Sequence, residues 1–151
     1  GLALFVGGML SLSTVITTFR INQWIGGYIV PAIEPFAGHP LLFVTAMTAG
    51  VVLLRFIDPV GFITIAAFFL SLSGFVVARG IDPLVLVGAI LLPLHVFWFT
   101  YQNIWIVMTD GVTARRAYTD RDRFRLATVY LAVTLVALWV GVGYWTLIGA
   151  V

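Results

Sequence analysis

Long apolar runs broken at a few polar points organise this chain. Residues 1–19 carry no charge, and Gly7, Gly8, Ser11, Ser13 and Thr14 put small side chains on the surface of the run. Small residues let helices approach closely in lipid, so a short membrane helix is expected over 2–18. From 20 to 36 the pattern changes. Ile21, Trp24, Ile25, Tyr28, Ile29, Ala32 and Phe36 recur at three- and four-residue spacing, with Arg20, Asn22, Gln23 and Glu34 between them. That is the pattern of an amphipathic helix lying in the membrane interface. Pro31 and Pro35 are expected to distort or end it. The alternative for this stretch is a loop with one helical turn.

Two apolar arms follow, 40–56 and 59–78, joined through Arg55, Phe56, Ile57, Asp58 and Pro59. Each is long enough to reach roughly 25–30 Å as a helix. They predict a helical hairpin, either spanning the bilayer or re-entrant with its tip near the midplane. Gly80-Ile81-Asp82-Pro83 reads as a turn, because Asp before Pro disfavours helix. A long uncharged run then covers 84–109, with Pro93 inside it and His95, Thr100, Tyr101, Gln102 and Asn103 beyond. Consecutive polar side chains predict an interruption there, since broken backbone in a membrane is buried or lines a cavity. The charged loop is 110–125. The last helix is expected over 126–150, with Trp139, Tyr144 and Trp145 toward its end as an interfacial belt.

Composition turns these runs into a membrane assignment. Hydrophobic residues make up 62% of the 151 positions and charged residues 9%. A soluble domain carries about 25% charge, and a water-facing surface cannot be built from so little. The expected fold class is therefore all-α, a polytopic transmembrane helical bundle. There are no cysteines, which excludes disulfide scaffolds and thiolate metal sites. The formal charge of +2 is too small to suggest a nucleic-acid partner. The chain starts inside an apolar run with no charged segment before it. That is not the pattern of a signal peptide, and it suggests part of a larger protein.

All the basic residues are Arg, and Arg115, Arg116, Arg121, Arg123 and Arg125 fall in the one loop. The positive-inside rule makes 110–125 cytoplasmic and the C-terminus external. The hairpin 40–78 then opens outward, and the interfacial helix 20–36 lies on the external face. The loop itself reads as a topology determinant at an anionic lipid surface.

Candidate chemistry is sparse. Arg55 and Asp58 stand three apart and can pair on one helix face. At membrane depth, Arg55 would be an anion-binding charge with Asp58 tuning it or carrying a proton. At a hairpin turn, both would snorkel to water. His95 is either a proton carrier or a hydrogen-bonded packing residue. Tyr101, Gln102 and Asn103 either line a solute path or knit helices together. His39 and His95 are too far apart to suggest a metal site. Asp58, Asp82 and Asp110 are too scattered for a carboxylate pair. No nucleophile–base constellation or phosphate loop is present, so catalytic residues, metal ligands and a cofactor are not expected.

The order of these parts resembles the C-terminal portion of the divalent anion:sodium symporters, the dicarboxylate, citrate and sulfate permeases. Phe5-Val6-Gly7-Gly8-Met9-Leu10-Ser11-Leu12 resembles the Gly-rich helix before the family's horizontal arm helix. His39-Pro40 through Leu70 resembles its external re-entrant hairpin. Phe97-Trp98-Phe99-Thr100-Tyr101-Gln102 resembles the Phe/Leu-Pro-Tyr-Gln stretch of its broken helix, with Thr100 in place of the Pro. Asp110-Gly111 and Tyr144-Trp145-Thr146-Leu147-Ile148-Gly149 resemble its closing helix. The resemblance covers nearly the whole chain. It implies half of an inverted-repeat, elevator-type secondary transporter in a prokaryotic inner membrane, coupled to sodium or protons. The implied partners are the lipid bilayer, a small anion and the N-terminal half of the same transporter, and a homodimer is compatible with it. Site residues carried over are Arg55, Asp58, Pro59, Val60, Gly61, Thr100, Tyr101, Gln102 and Asn103. Many members carry Ser-Asn-Thr at the hairpin tip, which helps bind sodium and a substrate carboxylate. Here the matching positions are Pro59-Val60-Gly61, without side-chain oxygens. A non-transporting membrane component with a degenerate hairpin is the second expectation.

Overall fold

A computed structural model describes residues 11, 14, 15, 18–57, 62–114 and 116–151. The expected helix over 2–18 and the hairpin tip at 58–61 lie largely or wholly outside them. Among the described residues the chain is all-helical, with no strand. The helices are α1 (Ile21–Ile33), α2 (Pro40–Leu54), α3 (Phe62–Ala78), α4 (Pro83–Leu91), α5 (Ile104–Thr113) and α6 (Asp120–Leu147), with 3-10 turns at Glu34–Phe36, Pro93–His95 and Thr100–Gln102.

The helix starts follow local chemistry. Pro40 and Pro83 open α2 and α4, where a missing N–H has no consequence. Asp82 caps α4 by accepting from the Leu84 N–H at 2.8 Å. Thr119 and Asp122 form a reciprocal capping box at the start of α6. That box draws Asp120–Arg125 into the helix, so the connection between α5 and α6 is only 114–119, shorter than the expected charged loop. Pro31 stands inside α1, and the chain tightens into a 3-10 turn where Pro35 follows.

α1 packs along α3, α3 against α4, α4 against α2, and α2 against α6. Gly26 of α1 lies against Ser71 of α3, where an added Cβ would sit 3.5 Å from the Ser71 carbonyl oxygen. Glu34, beyond α1, pairs with Arg79, beyond α3, at the same offset in sequence. The two helices therefore run side by side in the same direction. The packed stripe of α1 contains Gly26 and Ile33, with Ile29 and Val30 partly buried. Trp24 and Tyr28, expected on the apolar face, stand exposed on the other side, ring edge to ring face at 5.1 Å.

One continuous core fills the bundle. It is built from Phe43, Met47 and Val51 of α2, Phe68, Leu72 and Val76 of α3, Val85, Leu86 and Ile90 of α4, and Leu138 and Val142 of α6. Polar joints sit at its two ends. At one end are the Glu34–Arg79 pair and the Asp82 N–H, which donates to the Ala150 carbonyl at 2.8 Å. Gly149, at φ +74°, turns the chain back after α6 so that Ala150 N–H reaches the Trp145 carbonyl at 2.8 Å. At the other end lie Arg55, the 92–103 segment and the charged start of α6.

Among the described helices, α6 alone is long and apolar enough to cross a membrane. Its 28 residues span about 42 Å. Only 22% of its most apolar window is buried, with Val133, Val136 and Val140 each more than half exposed. A core helix of a water-soluble protein would be mostly covered. α2 ends at Leu54, before the end of the expected arm 40–56, and α3 is described over 62–78 of the expected arm 59–78.

Candidate functional site: a stitched helix break

The expected interruption of 84–109 extends from Leu92 to Asn103. Pro93 has no N–H to continue α4, and the chain turns extended at Val96, Phe99 and Asn103. An irregular stretch exposes backbone groups that need partners, and here side chains supply them. The Gln102 side-chain oxygen accepts from Trp98 N–H at 2.7 Å and Phe99 N–H at 2.9 Å. Its side-chain NH2 donates to the Arg55 carbonyl at 3.3 Å. In return, the Arg55 guanidinium donates to the Gln102 carbonyl. Both residues are buried, Gln102 completely and Arg55 to 2% exposure.

The rest of the seam is similar. Arg55 also lies over the Phe97 ring, 5.1 Å from its centroid. Tyr101 donates its hydroxyl to the Phe56 carbonyl at 3.2 Å. Arg123 reaches back from α6 and donates from Nε to the Trp98 carbonyl at 3.0 Å. Trp98 in turn donates from its indole to the Thr128 hydroxyl at 3.1 Å. The Tyr130 hydroxyl points to the Leu92 carbonyl at 3.4 Å. Phe56 stacks on Trp98 with centroids 5.9 Å apart, and Phe99 stacks on Tyr101 at the same distance.

The structure thus brings together Arg55, Tyr101 and Gln102. Thr100 begins the turn that carries Tyr101 and Gln102. Asn103 faces the other way, capping α5 by accepting from Trp105 N–H at 2.8 Å. His95 is exposed and, protonated at Nδ1, donates to the Leu91 carbonyl at 3.1 Å. Asp58, Pro59, Val60 and Gly61 lie outside the described residues.

Arg123, expected in a topology-determining loop, is a seam residue. The packed positions of α6 are Ala127, Thr134, Leu138 and Val142, seven and four apart. Stepping back one helical turn from Ala127 reaches Arg123, the loop arginine on the packed face. Its side chain is 10% exposed and paired with Asp120.

Two groups near this seam have shifted acidities. Burial pushes the Tyr118 hydroxyl up, and the Asp110 carboxylate adds to it, while Arg123 opposes. Asp122, ahead of the apolar stretch of α6, is held below the usual carboxylate range by the Thr119 hydroxyl and N–H, with Arg125 and Arg121 assisting.

No protein-family model, curated protein or solved structure matches the chain. The chemistry of the seam is therefore the chief guide to its role: a fixed cation, Arg55, held in a dry setting against the exposed backbone of a helix break.

Proposed function

We propose that this chain is one repeat of a secondary transporter for a small anion of the dicarboxylate, citrate or sulfate class. It would lie in a prokaryotic inner membrane, coupled to sodium or protons. The observation that carries this reading is Arg55. An arginine buried to 2% exposure in an apolar bundle is expensive and marks a functional site by default. It stands at the end of α2, next to the hairpin turn, and it donates to the main chain of a broken helix. Broken helices at membrane depth are where secondary transporters hold solutes and ions. In this reading an anion competes with the Gln102 carbonyl for the guanidinium, and the hairpin moves when the contact exchanges. A second repeat supplies the other half of the site.

One observation favours a second reading. The Gln102 amide and Asn103 side chain, expected to line a path, are used to satisfy backbone groups. That is what a non-transporting component with a degenerate hairpin would do. Uptake separates the two. The longer protein containing this chain would be reconstituted in liposomes and offered dicarboxylates, citrate and sulfate under sodium or proton gradients. Transport predicts gradient-dependent uptake that is lost in Asp58→Asn and in Arg55→Gln. Absence of uptake for the whole panel, or uptake unchanged in both variants, rejects the transport reading.

A further inference from the structure

A cleft opens between α5 and the start of α6, with a volume of about 400 Å³. Phe97, Trp105, Ile106 and Leu126 give it apolar walls. Tyr118 and Arg123 also line it; Arg123 Nη1 is sealed from solvent with no hydrogen-bond partner, and the Tyr118 hydroxyl, also sealed, stands beside Asp110 and Arg123. Arg123 is not an idle surface arginine. Its Nε and Nη2 are engaged by Trp98 and Asp120, its side chain is nine-tenths buried, and Nη1 is left over. A buried charged donor without an acceptor is unfavourable. Arg123 Nη1 beside the cleft calls for an oxyanion, and a phosphate offers several acceptors to an arginine.

The cleft is not simply cationic. Asp122 also lines it. The Asp122 carboxylate accepts from the Thr119 N–H and hydroxyl through the same oxygen, Oδ2. Its charge faces the cleft alongside Arg123, and Asp110 stands close to Tyr118. A purely anionic ligand would meet that carboxylate. A zwitterion would use both signs.

We propose that this cleft binds an aminophospholipid head group. The phosphate sits on Arg123 and Tyr118, the ammonium on Asp122, and the start of an acyl chain on the Phe97–Trp105–Leu126 wall. The position suits it, because the cleft flanks the point where α6 passes from charged to uncharged sequence at Leu126. This inference rests on the membrane reading but not on transport, and it concerns groups other than Arg55.

The test is lipid retention by the purified detergent-solubilised protein, measured by native mass spectrometry. The probes are phosphatidylethanolamine, phosphatidylglycerol and phosphatidylcholine, with soluble phosphoethanolamine as the headgroup-only arm. Phosphatidylethanolamine is expected to bind best. Arg123→Gln and Tyr118→Phe should each weaken it about tenfold. Tyr118→Phe removes no contact that holds the helix break, so it reports even if Arg123→Gln folds poorly. Asp122→Asn should erase the preference over phosphatidylglycerol. Arg125→Gln, an exposed arginine of the same helix, should change nothing. Equal losses in Arg125→Gln and Arg123→Gln would reduce the effect to surface charge and overturn the proposal. So would phosphatidylglycerol or phosphatidylcholine binding as well as phosphatidylethanolamine in the wild type, or no retained lipid at all. Phosphoethanolamine binding as tightly as the lipid would overturn the lipid assignment. A protein that fails to enter bilayers would instead reject the membrane reading beneath it.

Discussion

Replacing Gln102 by leucine removes the polar stitch of the helix break at nearly constant volume. The wild-type amide accepts from two backbone N–H groups, at 2.7 and 2.9 Å, and donates to one carbonyl at 3.3 Å. Leaving a buried backbone group unpaired costs roughly 1–3 kcal/mol. Two well-formed bonds and one long one then sum to about 4 kcal/mol. Burying the leucine returns about 1–2 kcal/mol, for a net loss of about 2–3 kcal/mol. In a chain of this size that is roughly a 5–10 °C fall in the unfolding midpoint. Gln102→Glu keeps an acceptor for both N–H groups, with Arg55 close enough to balance the charge, and loses only the donor. It should fall less than the leucine variant. The assay is thermal unfolding in detergent, followed by tryptophan fluorescence at one fixed scan rate. A leucine variant within about 2 °C of wild type, or a glutamate variant less stable than leucine, would refute the view that Gln102 holds the break closed.

Other outcomes follow from separate contacts. Thr119→Ala removes the N-cap of α6 and should destabilise by about 1 kcal/mol. Asp122, its reciprocal partner, has a lowered pKa, so its contribution is present above the ordinary carboxylate pKa and is lost as pH falls through its lowered value. The gap between wild type and Thr119→Ala should therefore narrow in acid, and a gap that widens would contradict the capping box. At Gly88, an added Cβ would lie 3.4 Å from the Trp145 ring, so Gly88→Val should overpack the α4–α6 contact, costing roughly 1–3 kcal/mol and shifting tryptophan emission. Gly143→Ala, with nothing within 4 Å, is the control. The Glu34–Arg79 pair is about half exposed, and Glu34→Gln should cost less than about 1 kcal/mol in denaturant unfolding. Because the chain has no cysteine, Ala117→Cys and Gly38→Cys each offer a single thiol. In intact cells an impermeant maleimide should label position 38 and spare 117, and the reverse pattern would invert the proposed orientation.

The sequence by itself determined the helical class, the turn ahead of Pro83 and an interruption inside 84–109. Each depends on local chemistry, whether apolar periodicity, the residue before a proline, or consecutive polar side chains in an apolar run. It also pointed to Arg55 and Gln102, because a charge and an amide inside apolar runs stand out in any apolar setting. Their use was a different matter. That Gln102 folds back on its own loop while its carbonyl takes the Arg55 guanidinium depends on bringing residues 47 positions apart into contact. The face that α1 buries was equally hidden, since Ile25, Trp24 and Tyr28 are all apolar and periodicity alone could not choose between neighbouring stripes. The close approach of Gly26 to Ser71 made that choice. Arg123 reads as one of five arginines in a charged segment, and only the packing of α6 against the break turns it inward. Local rules act within a helical turn, whereas which buried donor meets which exposed carbonyl is fixed by how the helices pack, and that is where the tertiary structure decided.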